Sequence, residues 1–238
     1  MGRKGWLGTL VGGAAAGAAL IGAYVVAIRP RLLTWGATAE EAESTLPGDE
    51  LVADAKMKAT HAITIDAPAA EVWPWLVQIG HQRAGWYSYD SLHRLMGIAG
   101  SVENQERSAE HVIPELQALD VGDMIEIGPD MGYKVVEIDP GRALVLHIAV
   151  EMGTFRSFDP AEETPNDFFA SSWTWFLKEL GENKTRLIVR IQMDYAPSVL
   201  QALMVRGVIE PGSFIMERKT LLGIKRRVEA SVSSSQGA

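Results

Sequence analysis

Around Pro197 the hydrophobic pattern of this chain changes period, and no other feature constrains its fold as strongly. From Met124 to Tyr195 apolar residues come in short alternating runs, whereas from Pro197 to about Val228 they recur at helical spacing. The alternating part predicts strands at Met124–Ile127, Tyr133–Ile138, Ala143–Val150, Phe169–Leu180 and Arg186–Tyr195. Turn signals separate most of them, at Gly128-Pro129, Asp139-Pro140-Gly141 and Gly181-Glu182-Asn183. In the last strand Leu187, Val189, Ile191, Met193 and Tyr195 face one way; Arg186, Ile188, Arg190, Gln192 and Asp194 face the other. Its short link to the strand before it predicts an antiparallel hairpin. The helical stretch is expected to break at Pro211-Gly212. Beyond the break Phe214, Leu221, Ile224 and Val228 share a face, widened by Ile215 and Leu222, and Glu217 falls on that same face. Arg218, Lys219, Lys225, Arg226 and Arg227 line the other.

Upstream, residues 59–65 alternate as a half-buried strand, with His61, Ile63 and Ile65 on one face and Thr60, Ala62 and Thr64 on the other. Asp66 or Ala67 is expected to cap a helix that carries Pro68 in its first turn and Glu71 near the positive end of its dipole. Val72, Leu76 and Ile79 with Trp73 and Trp75 make its apolar surface, and Pro74, which cannot donate a backbone bond, is expected to kink it. Gly80 is expected to end this helix, and Gly85 marks the turn before a second helix over Ser88–Met96. Residues 97–119 are polar and predict a loop. The acidic, Pro-containing run at 151–168 has no period and is the best candidate for a lid.

Composition narrows the function classes. The formal charge is −8, and the only charges before residue 36 are Arg3, Lys4, Arg29 and Arg31, so the remainder carries 18 basic against 30 acidic residues. Such a body repels nucleic acid. The absence of cysteine removes thiol catalysis, thiolate metal sites and disulfides, and leaves the redox compartment open. Histidines at 61, 81, 93, 111 and 147 show no zinc spacing, so no metal is expected. No phosphate-binding Gly loop follows a strand and no G-x-S-x-G surrounds a serine, so no cofactor or hydrolase triad is expected either.

After a tail at 1–5, Trp6–Ile28 is 23 residues without a charge, bracketed by Arg3 and Lys4 before and by Arg29 and Arg31 after. As a helix it is roughly 35 Å long, enough for a hydrocarbon core of about 30 Å, with Trp6 and Tyr24 near its ends. A single membrane anchor is the leading interpretation. A cleaved leader is the rival, although its A-x-A-like site would fall inside the apolar run, and a buried soluble helix is the third reading. The flanking charges do not decide which side of the membrane the rest of the chain occupies. Gly8 with Gly12 and Gly13 with Gly17 are pairs through which two such helices would approach closely as a weak homodimer. Residues 29–58 read as an acidic linker, 59–229 as one domain and 230–238 as a disordered tail.

The segments TIDAPAAEVWPWL, QIGHQRAGWYSYD, LDVGD and FIMERKTLLGIKRR together resemble the START-like (SRPBCC) superfamily of polyketide cyclases, lipid-transfer domains and pathogenesis-related proteins, in a membrane-anchored subgroup. The resemblance covers Thr60 to Glu229 and implies an α+β helix-grip fold: a curved antiparallel sheet around a long C-terminal helix, with an apolar cavity between them. A largely apolar ligand oriented by a few polar groups is then expected. Trp73, Trp86, Tyr87, Tyr89, Trp173, Trp175, Phe214 and Leu221 are candidates to line the cavity, with Arg83 and Glu217 as its polar groups. Against this, aromatics at helical spacing more often fill a core, Arg83 would readily bond a carbonyl or Asp90, and Glu217 would form a structural ion pair with Arg83 or Arg218. The leading functional reading is membrane-tethered binding of a lipid, isoprenoid or polyketide-like molecule. A cyclase or hydratase using Glu217, Arg83 or Tyr87 is the alternative, and a protein-interaction module without a small ligand the second.

Overall fold

In the computed structural model, which describes residues 24–128, 131–160 and 162–236, one six-stranded antiparallel sheet curves around a long C-terminal helix. The strands are β1 (Met57–Ile65), β2 (Met124–Gly128), β3 (Met131–Asp139), β4 (Ala143–Glu151), β5 (Phe168–Glu179) and β6 (Thr185–Tyr195), in the order β1-β6-β5-β4-β3-β2. Each expected strand is present within a few residues of its expected bounds. The hairpin of β5 and β6 pairs Phe169 with Tyr195 through Glu179 with Thr185. Register shifts between Glu126 and Gly128 and between Val135 and Glu137 bend the sheet at the β2–β3–β4 side, as bulges do.

The helices are α1 (Arg29–Leu33), α2 (Ala39–Glu43), α3 (Ala69–Val77), α4 (Asp90–Leu95), α5 (Val199–Met204) and α6 (Glu210–Gln236). α3 begins after Pro68, which offers no side-chain cap, so Asp66 and Ala67 are not its N-cap. α6 lies in the concave face of the sheet and buries Leu221, Ile224 and Val228 completely against Ile63, Ile65, Val189, Trp175 and Leu187. This is the helix-grip architecture. Ile215 and Leu222, expected to widen the buried face, are exposed.

Three local expectations fail for tertiary reasons. The helix does not break at Pro211-Gly212: a π-helical turn at Val205–Ile209 joins α5 to α6, and the Glu210 N–H donates to the Val205 carbonyl. Pro211 follows that turn as the second residue of α6. Nor does the chain become disordered at Ser231, because α6 runs on to Gln236. Arg227 does not belong to the solvated basic face. The loop after α4 folds over it, so it is buried, donates to the Ala109 carbonyl (2.8 Å) and lies 4.8 Å from the Tyr87 ring centre.

Residues 29–56, which read from the sequence as a linker, lie against the domain. Thr38 and Glu41 form a capping box at the start of α2, and Glu41 then takes two 2.8 Å bonds from Arg186 on the outer face of β6. Leu46 packs on Ala62 and Ile188, so β1 is buried on both faces instead of half-buried. The run at 151–168 does not lie over the concave face either. Phe158 packs with Ala149, Phe168, Ala170 and Ala196 in a separate cluster. Of the expected membrane helix, residues 6–23 lie outside the described residues, as do the tail at 1–5 and the paired glycines; Tyr24–Ile28 is a π-helical turn leading into α1.

The crossing of α6 by residues 86–88 is set by a glycine. The Gly223 Cα faces the Tyr87 carbonyl so closely that an added Cβ would stand 2.1 Å from its oxygen. The Thr220 hydroxyl donates to the Trp86 carbonyl (2.8 Å), and the Ser88 hydroxyl to the Met216 carbonyl (2.9 Å), on either side of that contact. Gly223→Ala is therefore expected to cost about 1–3 kcal/mol despite the better helix propensity of alanine, because backbone must move. Gly212→Ala, with nothing within 4 Å, is expected to be neutral or to gain up to about 1 kcal/mol. Urea denaturation of the two variants checks the contrast in sign.

Candidate functional site

Alternation in β1 turns His61 toward α6, and the i, i+3, i+7 spacing in α6 puts Phe214, Glu217 and Leu221 along the face that meets it. The Glu217 carboxylate reaches two partners. One oxygen meets His61 Nδ1, and the other accepts from Trp173 Nε1 at 3.1 Å. His61 Nε2 lies 2.7 Å from the Leu32 carbonyl at the end of α1. Both side chains of the pair are almost wholly buried.

Hydrogen bonding constrains the protons of this pair. The Leu32 carbonyl can only accept, so Nε2 carries a proton, and one further proton lies between Nδ1 and Glu217. Burial by itself pushes the His61 pKa down. The charge and hydrogen bond of Glu217, with the Leu32 carbonyl, outweigh it and hold His61 above its ordinary value. Glu217 thus favours the protonated imidazole. Each carboxylate oxygen has one protein donor and keeps a second acceptor direction.

Aromatic rings surround the carboxylate. Trp173 is stacked on Trp86 at 6.1 Å between centroids, lies 4.9 Å from Trp175 and 5.6 Å from Tyr133. Phe214 sets its edge against His61 at 5.6 Å, and Trp35 sets its edge against Phe214 at 6.3 Å. The Tyr133 hydroxyl donates to Ser171 Oγ at 3.0 Å, and burial pushes its pKa up to about 12, so it is a neutral hydrogen-bonding group. Trp173, Phe214 and Phe169 stay half-buried. Two buried indole N–H groups, those of Trp86 and Trp175, have no acceptor among the described residues. An unmade bond of this kind costs about 1–3 kcal/mol.

The structure thus brings together Trp86, Trp173, Trp175, Phe214 and Glu217 from the sequence candidates, and adds His61, Tyr133 and Trp35. It places the others elsewhere. Arg83 donates to the carbonyls of Val77 (3.1 Å) and Leu116 (3.2 Å). The Tyr87 hydroxyl is held by Gln78 Nε2 at 2.8 Å, and burial raises its pKa. Tyr89 is exposed with Lys219 over its ring, Trp73 packs half-buried on the core, and Leu221 is core. Neither Arg83 nor Arg218 pairs with Glu217; Arg218 stacks 5.1 Å from the Trp35 ring centre. Inward-facing His61 was visible in the alternation of β1, but nothing local joins it to a carboxylate 156 residues away. No group of three or more metal-ligating side chains occurs among the described residues.

No family model matches this chain, and no curated protein matches it. Among solved structures it is similar to protein MLL2253 of Mesorhizobium loti, with 15% identity over 73% of this chain and 98% of that one (TM-score 0.38). CalU16 of Micromonospora echinospora is 15% identical over 74% of this chain and 86% of that one (TM-score 0.31). The di-domain ARO/CYC BexL of the BE-7585A biosynthetic pathway is 15% identical over 73% of this chain and 46% of that one (TM-score 0.35). At such distances the functional reading rests on the site's own geometry.

Proposed function

We propose that this protein is tethered to a membrane by residues 6–28 and binds a hydrophobic small molecule, of lipid, isoprenoid or polyketide type, in the grip between sheet and α6. The observation that carries this reading is the aromatic array around Trp173, which is itself only half-buried and donates to a buried carboxylate. Apolar walls with one or two fixed polar groups are what orients a mostly apolar ligand. Here Glu217 keeps acceptor capacity for a ligand hydroxyl, and the free indole N–H groups of Trp86 and Trp175 suit a ligand carbonyl.

Mass spectrometry of apolar molecules that co-purify with the full-length protein in detergent tests it. Wild type is expected to retain one class of molecule near stoichiometry, and Glu217→Gln about tenfold less, as expected for losing a charge-assisted bond of about 1.5 kcal/mol. Bulk lipids alone, unchanged by the substitution, would favour a protein-interaction module instead.

The proton shared by His61 and Glu217 favours a second reading, acid–base catalysis of the cyclase or hydratase type. Arg83 and Tyr87 are spent on other bonds, so any such chemistry falls to this pair. Glu217→Gln would then abolish conversion of the retained molecule while leaving it bound.

A further inference from the structure

The helical run that begins at Val199 carries an apolar face that nothing in the described residues covers. Val199, Leu200, Leu203, Met204 and Val208 are 48–80% exposed, and Arg206, also exposed, is the only charge between residues 199 and 209. Val199–Ser234 is the one helix among the described residues long and apolar enough to cross a membrane. It cannot do so in this fold, because its second half buries Leu221, Ile224 and Val228 in the grip. The exposed apolar part, 199–209, is about 16 Å long, half of a hydrocarbon core of about 30 Å. Its length suits a helix lying in the membrane surface, with its apolar side down.

The end of the N-terminal apolar run lies against this helix. The Tyr24 hydroxyl donates to the Arg206 carbonyl at 3.0 Å, and Arg29 binds the buried Glu210 carboxylate through two 2.7 Å bonds. Val25 and Val26 are exposed beside it. Arg31 and Arg206 are exposed cations on these two segments, suited to anionic headgroups. Ile209, at the end of the run, packs in the cluster that includes Trp173, so this surface adjoins the candidate site.

We infer that the 199–209 helix is a second membrane contact: it lies in the lipid interface of the bilayer that receives residues 6–28, and holds the open end of the grip against that bilayer. This rests on the membrane tether proposed above and stands apart from whether the grip holds a ligand.

The chain has no cysteine, so single labels are clean. Leu203→Cys and Val208→Cys, each carrying an environment-sensitive NBD group, are placed in the full-length protein reconstituted into phosphatidylcholine–phosphatidylglycerol vesicles. Glu182→Cys, in the turn at the other end of β6, is the control. Doxyl lipids are expected to quench the two helix labels about threefold or more above the control, with aqueous iodide showing the reverse order, as for an apolar face within 5–10 Å of the headgroup boundary. Iodide access equal to the control would overturn the inference. So would shelter from both quenchers, which means that residues 6–23 or, if Leu203→Cys cross-links between chains, a second copy covers the face. Failure of the full chain to float with vesicles would overturn it as well.

Discussion

Glu217→Ala is expected to lower the stability of the protein by about 3 kcal/mol, the low end for removing one partner of a buried charge pair. The loss stays at the low end because His61 can shed its proton and keep its bond to the Leu32 carbonyl. Trp173 Nε1 loses its acceptor at the same time. The diagnostic feature is the pH dependence. The folded pKa of His61 is raised above its ordinary 6.5, so the stabilisation it contributes is fully present below 6.5 and is lost as pH rises through the folded value. Wild type should therefore lose stability as pH rises above 6.5 and through the folded value, with each tenfold difference in proton affinity between folded and unfolded chain worth about 1.4 kcal/mol. Glu217→Ala should lack that slope, so the two curves converge on the alkaline side. The groups facing His61 are Glu217 from α6 and the Leu32 carbonyl from α1, with the uncharged ring of Phe214 beside them. Urea denaturation across this pH range makes the measurement; parallel curves would mean that His61 does not hold the extra proton.

Arg190→Ala is expected to be more damaging still, by about 3–5 kcal/mol. Arg190 stands on the outer face of β6 with its side chain 1% exposed. Its guanidinium donates to Thr60 Oγ1 (3.1 Å), the Asp49 carboxylate (2.6 Å) and the carbonyls of Glu41 (2.8 Å), Ala42 (3.1 Å) and Ser44 (2.7 Å). A planar fork is what lets one side chain reach so many acceptors; lysine, a compact ammonium, cannot, so Arg190→Lys should recover only part of the loss. The segment from α2 through Val52 is held largely by this residue and by Arg186 with Glu41, so hydrogen exchange over residues 38–52 should rise in Arg190→Ala before the sheet itself is affected. Arg142→Ala, whose ion pair with Asp139 is exposed, is the neutral control. A loss below about 1 kcal/mol for Arg190→Ala would mean that the segment stays docked through Leu46, Val52 and the Arg186–Glu41 pair without it.

What the chain shows locally and what it hides divide along sequence distance. Period-two alternation belongs to a strand whatever surrounds it, so every strand of the sheet and the inward set Leu187, Val189, Ile191 were legible, as was the apolar face of α6 with Glu217 on it. The same alternation put His61 on the inner face of β1. It did not show that His61 and Glu217 meet, because that pairing needs β1 beside α6, and charge alone suggested arginines that turn out to serve carbonyls and an indole ring. The acidic stretch before β1 looked like a spacer because its polar residues read as solvated. The partners that bury them, Arg186 and Arg190, are some 140 residues further on. Pro211-Gly212 read as a break because the pattern carries no sign of the π-helical turn that joins α5 to α6 without interruption.

By itself, then, the sequence determined the elements and their faces, since these follow from backbone geometry and the spacing of apolar side chains. Only the tertiary structure decided which polar groups are buried together, which aromatic rings gather around Glu217 and which apolar helix is left uncovered. Each of those depends on desolvation by residues distant in the chain, and no local pattern carries that information.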